Sequence, residues 1–191
     1  MDIIDEKLQY LINGCTQGVA LVQREFYYTY YSTLMKVSIR YAPTTEDAEQ
    51  WVHDGFMKIY NNLGQYKSEG SFEGWIKKIM SRVCLDHLRA SNAMKNEVDK
   101  NTVYSADEQL MKDTPVENEI HQKLSAADIL LLLKKLPEKQ KIVFNLFVFE
   151  GYNHKEIAEV LTVTENHSYW LLHQARKALK SILTKAHNFQ I

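Results

Sequence analysis

The residues with chemistry to offer lie in three stretches, and in each the chemistry is that of binding. Between His154 and Leu183, "HKEIAEVLTVTENHSYWLLHQARKALKSIL" has the outline of a helix-turn-helix: a short helix from Lys155 to Leu161, a turn at Thr162-Val163-Thr164, and a longer helix from Glu165 to Leu183. Such units read DNA with the second helix. On it Ser168, Leu172, Ala175, Leu179 and Leu183 form an inward stripe, while Asn166, His167, Trp170, His173, Gln174 and Lys177 face outward. Trp170 and Gln174 are of types that discriminate bases, and Lys177 suits a phosphate. A large outward aromatic marks a contact, or packs on its own domain, and the residues leave both open. In the second stretch, Asp47, Gln50 and Asp54 share a helix face well away from Ala48, Val52, Phe56 and Ile59. By residue type alone that face is simply solvated. The third stretch, Tyr66–Ala90, is net basic, with Lys67, Lys77, Lys78, Arg82 and Arg89 against Glu69, Glu73 and Asp86.

Bond-making chemistry finds no constellation. The histidines at 53, 87, 121, 154, 167, 173 and 187 make no H-E-x-x-H or other ligand spacing. There is no P-loop and no dinucleotide fingerprint. Cys15 and Cys84 form no C-x-x-C and fit packing positions in a reducing cytosol. The expectation is a protein with no catalytic residue, no metal and no cofactor.

A nucleic-acid reader faces an electrostatic difficulty here. The chain has 23 Lys+Arg against 24 Asp+Glu, a formal net charge of -1. The reading helix has no Lys or Arg before Arg176. The charge is nonetheless segregated. Residues 66–90 are basic, seven acids stand between Glu97 and Ile120 against Lys100 and Lys112, and no acid occurs from Asn166 onward. That order suggests two nucleic-acid-facing segments joined by an acidic linker.

The elements that must position these residues read as all-helical. With 3 Pro and 7 Gly, and no long valine or isoleucine runs, helices are expected at Asp5–Asn13, with Gly14 as C-cap, and at Val19–Tyr41. Another runs from an N-cap at Thr44 or Thr45 to about Asn61, with acids in its first turn, and Ser71 caps the next, through Arg89. Leu63–Gly70 reads as a loop. Gln122–Lys135 and Lys139–Glu150 follow, the second opened by Pro137 and ended by Gly151. Three segments result: a helical domain over 1–90, an acidic flexible linker over 91–120, and a helix-turn-helix domain over 121–191. The acidic N-terminus lacks a signal-peptide pattern, and the longest apolar run, Ile129–Leu133, is far too short to span a membrane, so a cytoplasmic location is expected.

Two blocks carry a resemblance. "DAEQWVHDGFMKIYNNLGQYKSEGSFEGWIKKIMSRVCLDHLRA" and "LPEKQKIVFNLFVFEGYNHKEIAEVLTVTENHSYWLLHQARKAL" together resemble the extracytoplasmic-function (ECF) group of the sigma-70 family, the initiation factors of bacterial RNA polymerase. The likeness covers nearly the whole chain, including a two-domain layout without a middle domain. It implies a sigma-two-like bundle, a sigma-four-like helix-turn-helix domain, and promoter-directed initiation by DNA melting. It also implies partners: the beta-prime clamp and beta flap of core polymerase, promoter DNA, and an anti-sigma factor. Because the polymerase supplies most of the positive surface, a nearly neutral factor needs base and shape readout more than phosphate charge.

Carried over residue by residue, the resemblance places Asp47, Gln50, His53 and Asp54 on the clamp helices of beta-prime, where carboxylates and amides meet arginines. His53-Asp54 stands where Gln-Glu is usual. Tyr66, Lys67, Ser68, Gly70 and Ser71 fall on the loop that captures a flipped base of the minus-ten element, with Trp75, Lys78, Arg82 and Arg89 as further contacts. The helix-turn-helix residues Asn166, His167, Trp170, His173, Gln174 and Lys177 fall to the minus-thirty-five element. There the sequence departs most: Thr162 replaces a usual turn glycine, and Tyr169, Leu171 and Gln174 stand where Lys or Arg is common. The alternatives are a free-standing helix-turn-helix regulator, which leaves the first block unexplained, and a sigma-like interaction module that has lost promoter reading.

Overall fold

The computed structural model describes residues 3–96 and 125–188; their regular structure is helical, with no strand among them. The chain divides into two compact units, the first within Met1–Asn101 and the second within Thr102–Ile191.

The first unit is a four-helix bundle: α1 (Ile3–Thr16), α2 (Ala20–Tyr41), α3 (Thr45–Asn62), a single 3-10 turn (Leu63–Gln65) and α4 (Phe72–Asn96). Gly14 is not the C-cap expected for the first helix. α1 passes through it, and a Cβ there would fall 2.6 Å from Val22 Cγ1, so the glycine lets α2 approach. The left-handed turn comes later, at Gly18 (φ 72). α2 stops at Pro43, and α3 starts on Thr44, whose Oγ1 accepts from the Asp47 N–H at 3.0 Å. Ser38, fully buried, donates to the Ala48 carbonyl at 3.0 Å and ties the end of α2 to the start of α3. The core is built from Phe26, Leu34, Val52, Phe56, Ile59, Ile76 and Met80, the apolar stripes of three helices. Tyr60 lies at its margin and donates to the Gln23 carbonyl at 2.9 Å; burial first, then Cys15 and Tyr27, pushes this phenol to about 12.

α4 continues to Asn96, past the expected start of the linker at 91. The rest of the expected acidic linker, 97–120, lies outside the described residues, as does the start of the helix expected at Gln122.

In the second unit α5 (Ala126–Lys134) opens on a capping box, Ser125 with Asp128. α6 (Glu138–Phe144) follows Pro137 and passes into a π turn (Asn145–Phe149), where a continuous α-helix to Glu150 was expected. The wider turn sets the Phe147 ring 4.7 Å from His154 and beneath Arg176, whose guanidinium lies 5.6 Å from it. α7 (His154–Leu161) is capped by Asn153 and Glu156, and α8 (Glu165–Asn188) completes the unit. Leu133, Leu136 and Ala175 form a core cluster, with Ile129, Phe144, Ala178 and Leu179 packed against it.

Candidate nucleic-acid interface

The expected turn of the helix-turn-helix is present, and Thr162 takes the glycine conformation, with φ 56 and ψ 50. A β-branched residue in the left-handed region costs on the order of 1 kcal/mol. The Thr162 N–H is bonded to the Ala158 carbonyl and the Val163 N–H bonds the same carbonyl at 3.1 Å, which closes α7 in spite of the strain.

Two of the residues that break the basic pattern of α8 face inward. Leu171 is buried, so it is not available to thymine methyls. Tyr169 stacks on His154 with centroids 3.7 Å apart, and His154 Nδ1 lies 2.9 Å from Ser168 Oγ. These contacts hold α8 on α7, the same packing that orients the outward strip. In that strip Asn166, His173 and Lys177 are exposed, and His167, Trp170 and Gln174 are half-buried. The six residues fall within about 120° of helix circumference. Trp170 lies against His167, nearly parallel at 18° with centroids 5.5 Å apart. The strip is thus a flat aromatic pair beside an amide, with Lys177 as its cation.

In the first unit, Trp75, Lys78, Arg82 and Arg89 fall within about 60° of one another on α4. Trp75 is half-buried against Tyr66 (5.5 Å) and Phe72 (5.7 Å). Lys78 is half-buried, Arg82 exposed, and Arg89 pairs with Asp86 at 3.2 Å. The loop 66–71 lies at the N-terminal end of this strip. Lys67, Ser68, Gly70 and Ser71 are exposed, and Ser71 caps α4 by accepting from the Gly74 N–H at 3.4 Å. Ser68 (φ 58) and Gly70 (φ 84) both take left-handed backbone, and Gly70 supplies it without a Cβ penalty. Basic strip and loop therefore form one continuous surface.

The acidic face of α3 is more engaged than a solvated face. Asp47 Oδ2 accepts from Thr44 Oγ1 at 2.8 Å, and Asp54 Oδ2 lies 2.9 Å from His87 Nε2 on α4. His87 in turn stacks on Trp51, 5.0 Å apart and 7° from parallel. Asp54, Lys58, Val83, Asp86, His87 and Ala90 line an open cleft of about 330 Å³ between the two helices. Gln50 and His53 are exposed, and His53 stacks on Tyr27 of α2 at 5.8 Å. Sequence reasoning missed His87, Trp51 and Tyr27, whose contacts cross between helices, and Met57, 60% exposed on the outward side of α3. The signal for Met57 was available, since it lies one turn beyond His53 and Asp54.

Comparison with known proteins decides between the readings. Residues 26–94 match the family Sigma-70 region 2, and residues 126–179 match Sigma-70, region 4; together they take in nearly two thirds of the chain. The chain belongs to the sigma-70 family. Its relatives place it in the ECF group. It is 26% identical over 168 residues to the RNA polymerase sigma factor YlaC of Bacillus subtilis, covering 85% of this chain and 92% of that one. It is 25% identical over 150 residues to the ECF RNA polymerase sigma factor SigE of Mycolicibacterium smegmatis, covering 78% of this chain and 57% of that one. Among solved structures it shares a fold with the sigma factor RpoE in complex with the anti-sigma factor NepR from Bartonella quintana (TM-score 0.54, 16% identity, 84% of this chain and 98% of that one). A second likeness is to CnrH in complex with the cytosolic domain of CnrY (TM-score 0.50, 17% identity, 92% and 96%). The protein is an RNA polymerase sigma factor that directs transcription initiation, and its second unit carries the DNA-binding helix-turn-helix of region 4. No helix among the described residues is long and apolar enough to cross a membrane.

Proposed function

We propose that this sigma factor divides its work among three surfaces. The outward side of α3, with Asp47, Gln50, His53 and Asp54, docks on the beta-prime clamp of core polymerase. The loop 66–71, with Trp75, Lys78, Arg82 and Arg89 beside it, binds and opens the minus-ten element. The α8 strip, from Asn166 to Lys177, reads the minus-thirty-five element while its unit rests on the beta flap. Residues 1–90 are the docking and melting domain, 91–120 the connection and 121–191 the upstream reader. The factor catalyses no reaction of its own, works in the cytoplasm, and is held in check by an anti-sigma factor.

The observation that carries this division is the separation of charge within the first unit. The polar side of α3 and the basic strip of α4 are on different helices, so a protein surface rich in arginine and a DNA strand can be held at once. That two solved relatives were captured with partner proteins, one of them named as an anti-sigma factor, supports the regulatory partner.

The test is reconstitution. Core polymerase plus this protein should give run-off transcripts from a promoter of its own genome, and neither component alone should. A protein that binds DNA as a dimer without polymerase, or binds polymerase without any promoter selectivity, would exclude the reading.

A further inference from the structure

The six residues between the 3-10 turn and α4 are shaped by one side chain. The Tyr66 N–H bonds the Leu63 carbonyl at 3.2 Å. Its ring lies 5.0 Å from Phe72, edge to face at 79°, and 5.5 Å from Trp75. Phe72 is itself buried against Phe26 and Tyr30, so the ring is anchored to the bundle core. From that anchor the Tyr66 hydroxyl crosses the loop and donates to the Gly70 carbonyl at 2.9 Å. Lys67, Ser68 and Glu69, which the bond encloses, are exposed.

The enclosed backbone is in a conformation it would not hold unaided. Ser68 stands at φ 58, in a region L residues with a Cβ avoid, and Gly70 at φ 84 has the widest choice of alternatives of any residue. An exposed loop with two left-handed residues loses little and gains conformational entropy by relaxing. The Tyr66–Gly70 bond is a cross-loop tie that opposes this. A ring packed against two aromatics, with its hydroxyl committed, is not placed to stack on a base.

We infer that Tyr66 is a positioning residue for promoter opening: it holds the loop 67–70 in the shape that accepts an unpaired base, and leaves contact with that base to Lys67 and the local backbone. This rests on the reading of the loop as the minus-ten capture site. Its consequence is specific. Losing the tie should blur discrimination at the captured base and leave the rest of promoter recognition intact.

The experiment is transcription by the holoenzyme from a promoter library randomised across the minus-ten element, with wild type, Tyr66→Phe and Ser68→Val. Tyr66→Phe keeps the ring and removes the hydroxyl. It should flatten base preference at one position about three- to tenfold, the scale of one hydrogen bond, with other positions unchanged and thermal melting of the free protein unaltered. Ser68→Val, which resists positive φ, should give the same single-position loss. Full wild-type preference in Tyr66→Phe, or an equal drop in yield for every sequence, overturns the inference. If Tyr66→Phe does not fold, Ser68→Val decides by the same two criteria. A wild type without preference at any position removes the capture reading itself, and this inference with it, an outcome visible before any variant is made.

Discussion

Asp54 on α3 and His87 on α4 meet at 2.9 Å, and His87 is stacked on Trp51 of the first of these helices. A carboxylate on the proposed docking face is thus held in place by the helix that also carries the basic strip. Both partners are partly solvated, so the pair itself contributes at most about 1 kcal/mol to folding. Its value is in fixing where the carboxylate points.

Charge and shape at this site can be separated. Asp54→Asn keeps a polar group of the same size, and should lower affinity for core polymerase at least about tenfold, the loss of one charge-assisted contact. Gln50→Ala removes an exposed side chain and should weaken binding by a smaller factor without moving the melting temperature. Asp47→Lys combined with Asp54→Lys should abolish co-purification with polymerase, with some loss of stability because Asp47 also bonds Thr44. Co-purification of the double variant at wild-type yield would refute the docking face.

The α8 strip makes a prediction about sequence dependence. Trp170→Ala and Gln174→Ala should each reduce transcription by an amount that varies with the upstream promoter sequence, on the order of 1–3 kcal/mol for a good base contact. Lys177→Ala should weaken all promoters alike. A library randomised in the upstream element separates the two behaviours. Absence of any upstream preference in the wild type would leave Trp170 as a packing or protein-contact residue.

Thr162 offers a stability test. Thr162→Gly relieves a left-handed β-branched residue and should stabilise the second unit by about 1 kcal/mol, read from denaturant unfolding. Destabilisation instead would show that the threonine side chain makes compensating contacts.

The capping box on α5 predicts acid sensitivity. The Ser125 hydroxyl, and then its backbone N–H, hold the Asp128 carboxyl below its ordinary value. A carboxyl with a depressed folded-state pKa contributes its stability above the unfolded value and loses it as pH falls through the folded one. Ser125→Ala should therefore lower stability at neutral pH, and the gap from wild type should narrow in acid to what the N-cap bond from the Asp128 N–H to the Ser125 hydroxyl contributes. A gap that does not change with pH would rule out this contribution.

Much of the architecture was legible because it rests on local rules. Thr44, Ser71 and Pro137 announced helix starts, and the apolar stripe of Ala48, Val52, Phe56 and Ile59 announced the buried side of α3. What escaped was decided by tertiary contact. Gly14 reads as a helix stop until Val22 is packed on it, and no periodicity announces the π turn at 145–149. At the candidate site, residues could be proposed from the sequence, but not the contacts they make with one another. Tyr66 has the type of a base-stacking residue, and only the neighbours Phe72, Trp75 and Gly70 show its ring and hydroxyl already engaged.

Tyr169 and Leu171 turn inward on α8, and the outward strip keeps one cation, Lys177. Counterion release scales with the number of phosphates neutralised, so a strip of this composition contributes a logarithmic salt slope of only about one. On the proposed reading of the strip, upstream discrimination by rings and an amide is nearly independent of ionic strength. The same proposal has the holoenzyme's attachment to DNA in general weaken as salt rises while the ranking of its upstream sequences holds, which would make this factor more selective in the conditions that make most DNA-binding proteins let go.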